Sequence, residues 1–190
     1  MNKTLFAAVL STVLFSTASA FAQTKTYADA DVIAATEKFD MTCNEPVNKS
    51  VEKIDFKFRY EWDGPTDPER SVTYFIVTCQ AGAYNENSVL LRASAYDDTL
   101  TPVGFAVPRL NTAGKIAGFT AEVVTGYLTY DEPTKTLGIY SKSRGIGDLY
   151  VSGTYELHED EVILRGYTID NVAGDNVEVP PVYENKEPLE

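Results

Sequence analysis

One run of alternating side chains constrains the fold of this chain more than any other. From Ile54 to Trp62, aromatic or aliphatic residues alternate with charged ones, which is the period of two expected of a strand with one buried face. Residues 72–79 are β-branched or aromatic at nearly every position, so both faces of this second segment are apolar, as in a central strand. Together the two segments predict a sheet with a buried centre.

Further segments carry the same β signals and are separated by turn residues. A weaker helical pattern covers Asp29 to Phe39, with Asp29 or Asp31 as its N-cap. The fold class is therefore predicted to be all-β, mainly an antiparallel sandwich or barrel of about seven or more short strands, with a short N-terminal helix. The other predicted strands are 88–96, 103–107, 122–130, 136–141, 153–157 and 162–168, with hairpin turns at 131–134 and 158–161.

The first 22 residues have the three parts of a secretory signal peptide. A basic start is followed by an apolar run from Leu5 to Phe15 and by small residues at Ala18, Ala20 and Ala22. The run is shorter than the roughly 20 residues that cross a bilayer. We therefore predict a leader at 1–22, cleaved after Ala20 or Ala22, and a single β-rich domain at 23–190 with a frayed or edge tail. The mature protein is expected in the periplasm or outside the cell, without a transmembrane segment.

The chain carries 16 basic and 28 acidic residues, for a formal net charge of −12. Such a surface repels the phosphates of nucleic acids and the headgroups of anionic lipids. It attracts cationic partners, among which lysozymes are an example outside the cytoplasm. The alternative is that the carboxylates only keep an exported protein soluble.

Cys43 and Cys79 are the two cysteines, and in an oxidising compartment two cysteines usually pair. The loop closed by that disulfide, about 35 residues, would contribute roughly 3–4 kcal/mol. A catalytic thiol or half of a metal site are the alternatives. The single histidine, His158, falls in a predicted turn, and so few Cys and His ligands disfavour a zinc site. No metal, cofactor or catalytic residue is predicted.

Two loops are richer than ordinary turns. In the first, Gly82 allows close backbone approach, and Tyr84 and Asn85 are candidate ligand-binding residues; alternatively they pack and bond within the loop. In the second, Lys142, Arg144 and Asp148 lie among glycines and hydroxyls that suit an anion. There the alternative is an Arg144–Asp148 ion pair that holds a long turn.

The motifs of both loops, in this order, resemble those of the exported bacterial proteins grouped as domain of unknown function 1176. The matching residues are Cys79, Gly82-Ala83-Tyr84-Asn85, Ser88-Val89-Leu90-Leu91, Thr136-Leu137, Lys142, Arg144-Gly145, Gly147-Asp148 and the hairpin 153–167. The chain departs from the pattern at Ser143, where the family usually has Gly, and at Leu149-Tyr150, where it has Cys-Gly. The resemblance implies a periplasmic, β-rich protein and supplies no reaction. Without a later cysteine it leaves Cys43 as the intramolecular partner of Cys79.

These observations favour a non-enzymatic binding or inhibitor-like module for a cationic partner. The alternative is an envelope enzyme, or a protein that binds a small anion or glycan through the 142–148 loop. A structural envelope protein without a small ligand is a third hypothesis.

Overall fold

The computed structural model describes residues 26–39, 49–67, 69–81, 86–93, 99–143, 149–171 and 179–186. The predicted leader and Cys43 lie outside these residues. Helix α1 spans Asp29–Thr36, shorter than the predicted 29–39. The strands are β1 (Ser50–Phe58), β2 (Arg70–Ala81), β3 (Glu86–Ala93), β4 (Leu100–Pro102), β5 (Phe105–Leu110), β6 (Ile116–Glu122), β7 (Val124–Thr125), β8 (Tyr127–Asp131), β9 (Thr136–Lys142), β10 (Tyr150–Leu157), β11 (Val162–Asp170) and β12 (Tyr183–Glu184).

The described strands form two five-stranded antiparallel sheets and one two-stranded ribbon. The first sheet has the order β1-β2-β3-β4, and β7 pairs with the part of β3 that β4 leaves open. The second sheet has the order β12-β11-β10-β9-β8, and β5 pairs with β6 to form the ribbon. The predicted all-β fold with a short helix is confirmed.

The main core lies between the two sheets. Tyr74 from the first sheet and Leu137 and Tyr155 from the second are fully buried in it. Tyr155 also fixes the ribbon, because its hydroxyl donates to the Ala106 carbonyl at 2.9 Å and its ring meets Phe105 edge-on at 5.1 Å. Burial raises the pKa of the Tyr167 hydroxyl in the same core to about 12.

The opposite face of the first sheet is covered by α1. Val32 of the helix is fully buried against Phe75, Val77 and Cys79 of β2. Strand β2 therefore has one set of side chains in each core, as its unbroken apolar sequence predicts for a central strand. Among the described residues, no helix is long and apolar enough to cross a membrane.

The alternation from Ile54 to Trp62 does not continue as a strand to its end. Ile54 and Phe56 are buried on β1, but the strand ends at Phe58. The next residues form a turn, because the Asp63 carboxylate accepts the Tyr60 amide proton at 2.9 Å and the Asp63 amide donates to the Tyr60 carbonyl. Trp62 is consequently 75% exposed instead of lying on a buried face. That part of the strand prediction is wrong.

Other segments also differ from the prediction, among them Leu100–Pro102, which pairs with β3 outside the predicted strands. The stretch 122–130 is split at Gly126: Val124–Thr125 joins the first sheet and Tyr127–Asp131 joins the second. The strand Ile116–Glu122 lies almost entirely outside the predicted strands; its side chains are exposed or half-buried, so it carries little of the apolar alternation that marks a strand. At the end of the chain, Tyr183–Glu184 pairs with β11 as an edge strand, one of the two states expected of the tail.

Candidate binding surface at one end of the sandwich

Two turns from different sheets meet at one end of the sandwich. The first joins β1 to β2 and the second, residues 158–161, joins β10 to β11. The Tyr60 hydroxyl donates to the Glu159 carboxylate, and the Tyr74 hydroxyl donates to the His158 carbonyl at 2.6 Å. Burial raises the pKa of Tyr74 well above its usual value, so this phenol stays a neutral donor. The two bonds hold the turn at 158–161 against the first turn and against β2.

The exposed side chain at this end is Trp62. Its indole lies parallel to the Tyr60 ring, with centroids 4.3 Å apart and an angle of 11° between the planes. Tyr60 in turn meets Phe58 edge-on at 5.4 Å, and Phe58 packs against the main core. The indole is therefore supported from below by a series of aromatic rings although it is 75% exposed.

Arg70, the first residue of β2, binds to the same support. Its guanidinium carbon lies 4.7 Å from the centroid of the Tyr60 ring, and one of its nitrogens lies 3.2 Å from Asp63 Oδ1. The hydrogen bond from the Tyr60 amide and the bond from Arg70 both favour the charged carboxylate, and the pKa of Asp63 is lowered. Asp63 therefore stays ionised and fixes both the turn and the guanidinium.

Most of the exposed charge on the two turns is negative. The two turns carry a set of exposed carboxylates and two exposed guanidinium groups, of which Arg70 is paired with Asp63. The exposed carboxylates are Glu61, Asp67, Glu69, Asp160 and Glu161, and the second guanidinium is Arg59. We call Tyr60, Trp62, Asp63, Arg70 and Glu159, with these carboxylates around them, the Trp62 surface. It combines an exposed planar aromatic group with a negative field.

Of the residues predicted from the sequence as ligand-binding, only Lys142 is among the described residues. Lys142 is half-buried in the last position of β9, opposite Tyr150 on β10. Its loop is closed by the Ser143 amide, which donates to the Leu149 carbonyl at 2.8 Å. Tyr84, Asn85, Arg144 and Asp148 lie outside the described residues, so their predicted roles stay predictions.

The predicted disulfide also involves a residue outside the described ranges. Cys79 is fully buried beneath α1, and no free cysteine thiol is found among the described residues. Its predicted partner, Cys43, lies outside them. The disulfide therefore stays a prediction. Its expected location is beneath α1, where Cys79 is buried.

Three tyrosines lie across the second sheet next to Lys142. Tyr127 on β8 is directly opposite Tyr140 on β9, and the Tyr140 ring lies 5.5 Å from that of Tyr150 on β10. Tyr127 is 48% exposed. This tyrosine row is a second aromatic surface, on the outer face of the sheet.

The described residues contain no group of three or more His, Cys, Asp or Glu side chains placed to hold a metal ion. His158 Nε2 lies 3.2 Å from Glu156 Oε1, and Glu156 also binds Arg165.

Sequence reasoning missed the Trp62 surface because it assigned Trp62 to a buried strand face. The signal was nonetheless present, since Trp62 stands between two acidic residues directly before Gly64-Pro65. A large aromatic residue between charged neighbours at a turn has no strand partner to cover it.

The fold and this surface define an all-β sandwich with an exposed aromatic group in an acidic setting at one end. No family model, curated protein or solved structure matches the chain. The resemblance to domain of unknown function 1176 accordingly stays a prediction.

Proposed function

We propose that the protein is an exported binding module that holds a cationic protein or peptide on the Trp62 surface. The observation that carries this proposal is Trp62 itself, which is 75% exposed while its ring is held parallel to Tyr60 among carboxylates. Tryptophan, tyrosine and arginine are the residues that most often dominate binding energy at protein interfaces. All three residue types occur in the Trp62 surface, as Trp62, Tyr60 and Arg70.

The support beneath the indole favours binding because little conformational freedom is left to lose. Tyr60 is held by its ring contacts, by its hydroxyl bond to Glu159 and by its amide bond to Asp63. A partner that covers Trp62 therefore does not have to order this support. Preorganisation of this kind raises affinity by lowering the entropic cost of association.

The sign of the charge selects the partner. The exposed carboxylates of the two turns belong to a chain whose formal net charge is −12. Such a field speeds the approach of a positively charged protein and repels anionic ones. The attraction is expected to weaken with salt, since the Debye length falls from about 10 Å at 0.1 M to about 3 Å at 1 M.

The leader-like segment at residues 1–22 and the resemblance to an exported family support a location in the periplasm or outside the cell. A lysozyme is a suitable test partner for that location because it is a compact cationic protein. Bound at the Trp62 surface, the module would act as an inhibitor if the contact blocked the lysozyme cleft.

Isothermal titration of the protein with lysozyme at low and high salt tests the proposal. We expect salt-sensitive binding that Trp62→Ala weakens about thirtyfold, the scale of an interface hot spot. Phe119→Ala is the matched control, because Phe119 is 50% exposed on β6, outside the two turns. Absence of binding, or equal binding by Trp62→Ala and the parent, would overturn the proposal.

The tyrosine row supports a second candidate, the binding of an anionic glycan beside Lys142. Tyrosine rings offer apolar faces to sugar rings and hydroxyls to their polar edges, and Lys142 lies next to Tyr140 and Tyr150. Binding of an anionic polysaccharide that is lost in Tyr127→Ala and kept in Trp62→Ala would establish this second function. Binding that is equal in both variants and the parent would remove it.

A further inference from the structure

The aromatic stack at the Trp62 surface is open on one side. Trp62 covers one face of the Tyr60 ring at 4.3 Å. The Arg70 guanidinium carbon lies 4.7 Å from the same centroid. The outer member of this group is Trp62, which is 75% exposed.

We infer that the group captured on the open face of Trp62 is an arginine side chain of the partner, whose guanidinium plane lies on the indole. This inference rests on the proposed function and names the partner group that the same surface recognises.

A cation suits the open face better than an apolar side chain does. The indole is the strongest of the aromatic acceptors for a cation. The neighbouring carboxylates stabilise the same charge, since Glu61 precedes Trp62 in an exposed position and the turn at 158–161 adds Asp160 and Glu161. An apolar side chain would gain only the contact with the ring and would leave these carboxylates without a counter-charge.

Arginine suits the open face of Trp62 better than lysine does because the guanidinium and ammonium groups differ in shape and hydration. A guanidinium is planar and weakly hydrated, so it lies flat on a ring while its edge donates to carboxylates. A lysine ammonium is compact and strongly hydrated, and it offers no plane to the stack. Arg70 already shows this arrangement within the chain, since it lies over Tyr60 and pairs with Asp63 at 3.2 Å.

Two peptides of equal length and charge, hexa-arginine and hexa-lysine, separate these alternatives. Trp62 is the single tryptophan of the chain, so its fluorescence reports on this surface alone. We expect hexa-arginine to change the Trp62 emission on binding and to bind about tenfold more tightly than hexa-lysine, a factor in the range of a partly desolvated cation–π contact.

Variants test whether the preference for hexa-arginine over hexa-lysine depends on Trp62. Trp62→Ala and Trp62→Phe, followed by calorimetry because they lack the fluorophore, should reduce the preference for arginine strongly and partly, respectively. Phe119→Ala should keep it. Circular dichroism should show an unchanged fold in each case, since Trp62 lies at the surface.

The failures of the two proposals are distinguishable. Equal affinity for both peptides, or an arginine preference that survives in Trp62→Ala, overturns the inference and leaves the cationic partner in place. If neither peptide binds while lysozyme still binds through Trp62, the isolated arginine is not the recognised group and the inference is overturned. If lysozyme does not bind, the proposed function itself fails.

Discussion

The Trp62 indole lies parallel to the Tyr60 ring at 4.3 Å, and the hydroxyl of Tyr60 is bonded to Glu159 across the sandwich. An exposed side chain is thus tied, through one residue, to both sheets. This relationship explains how a residue at a turn can be exposed and still fixed.

The electrostatic field around Trp62 should change how strongly charged quenchers reduce the fluorescence of Trp62. Because the nearby free charges are mostly carboxylates, caesium ions should quench Trp62 emission more strongly than iodide ions do. The difference should shrink at about 1 M salt, where the screening length is about 3 Å. Stern–Volmer plots for the two quenchers measure it. Equal quenching at low salt would show that the surface is not negative.

Tyr60→Phe should destabilise the fold while it leaves the ring stack intact. The substitution removes the bond to the partly buried Glu159, and we expect the free energy of unfolding to fall by about 1 kcal/mol. Urea denaturation followed by circular dichroism measures the change. Tyr127→Phe is the control, because that tyrosine is 48% exposed at the opposite end of its sheet. A loss of the same size in both variants would contradict the specific role of the Glu159 bond.

Gly126→Ala should be far more damaging than Gly118→Ala. A Cβ at position 126 would lie 2.2 Å from the Tyr140 carbonyl oxygen and 2.7 Å from Ser141 Cβ, whereas one at position 118 would meet nothing within 4 Å. We expect the first variant to lose about 3 kcal/mol or more, the upper part of the range for overpacking. The second should stay within about 1 kcal/mol of the parent. Thermal unfolding compares them, and similar melting temperatures would contradict the close crossing at Gly126.

The contribution of Asp63 to stability should depend on pH. Its pKa is lowered from 3.8 in the folded chain, chiefly by the Tyr60 amide and further by Arg70, so folding favours the charged form. The resulting stability is present above the unfolded pKa and is lost as the pH falls through the lower folded value. Urea midpoints of the parent and of Asp63→Asn should therefore differ at pH 6 and converge toward pH 2. A constant difference across this range would refute the assignment.

A Cys43–Cys79 disulfide would be protected, because Cys79 is fully buried beneath α1. Peptide mapping without reductant should recover both cysteines in one linked fragment. Cys43→Ala should lower the free energy of unfolding by roughly 3–4 kcal/mol, the value expected for a loop of this length. Recovery of two separate thiols would instead favour one of the alternatives, a reactive thiol or a metal ligand.

Several elements could be predicted because their signal is local. The alternation at Ile54 and Phe56, the doubly apolar β2 and the hairpins at 131–134 and 158–161 all follow from side-chain period and turn chemistry. The strand Ile116–Glu122 lacked that signal because neither of its faces is fully buried. The split at Gly126 also left no local trace, since both halves are strands and only their partners differ.

Some features of the candidate site could likewise be predicted from the sequence, and others could not. The sequence by itself determined the acidic charge, the leader-like start, the two loop motifs and most of the strands that form the sandwich, because each depends on composition or on neighbours along the chain. Only the tertiary structure decided that the turn at 158–161 meets the turn after β1, so that Glu159 holds Tyr60 and Trp62 is left uncovered. That contact joins residues 99 positions apart, and its formation depends on how two sheets pack, which no local pattern contains.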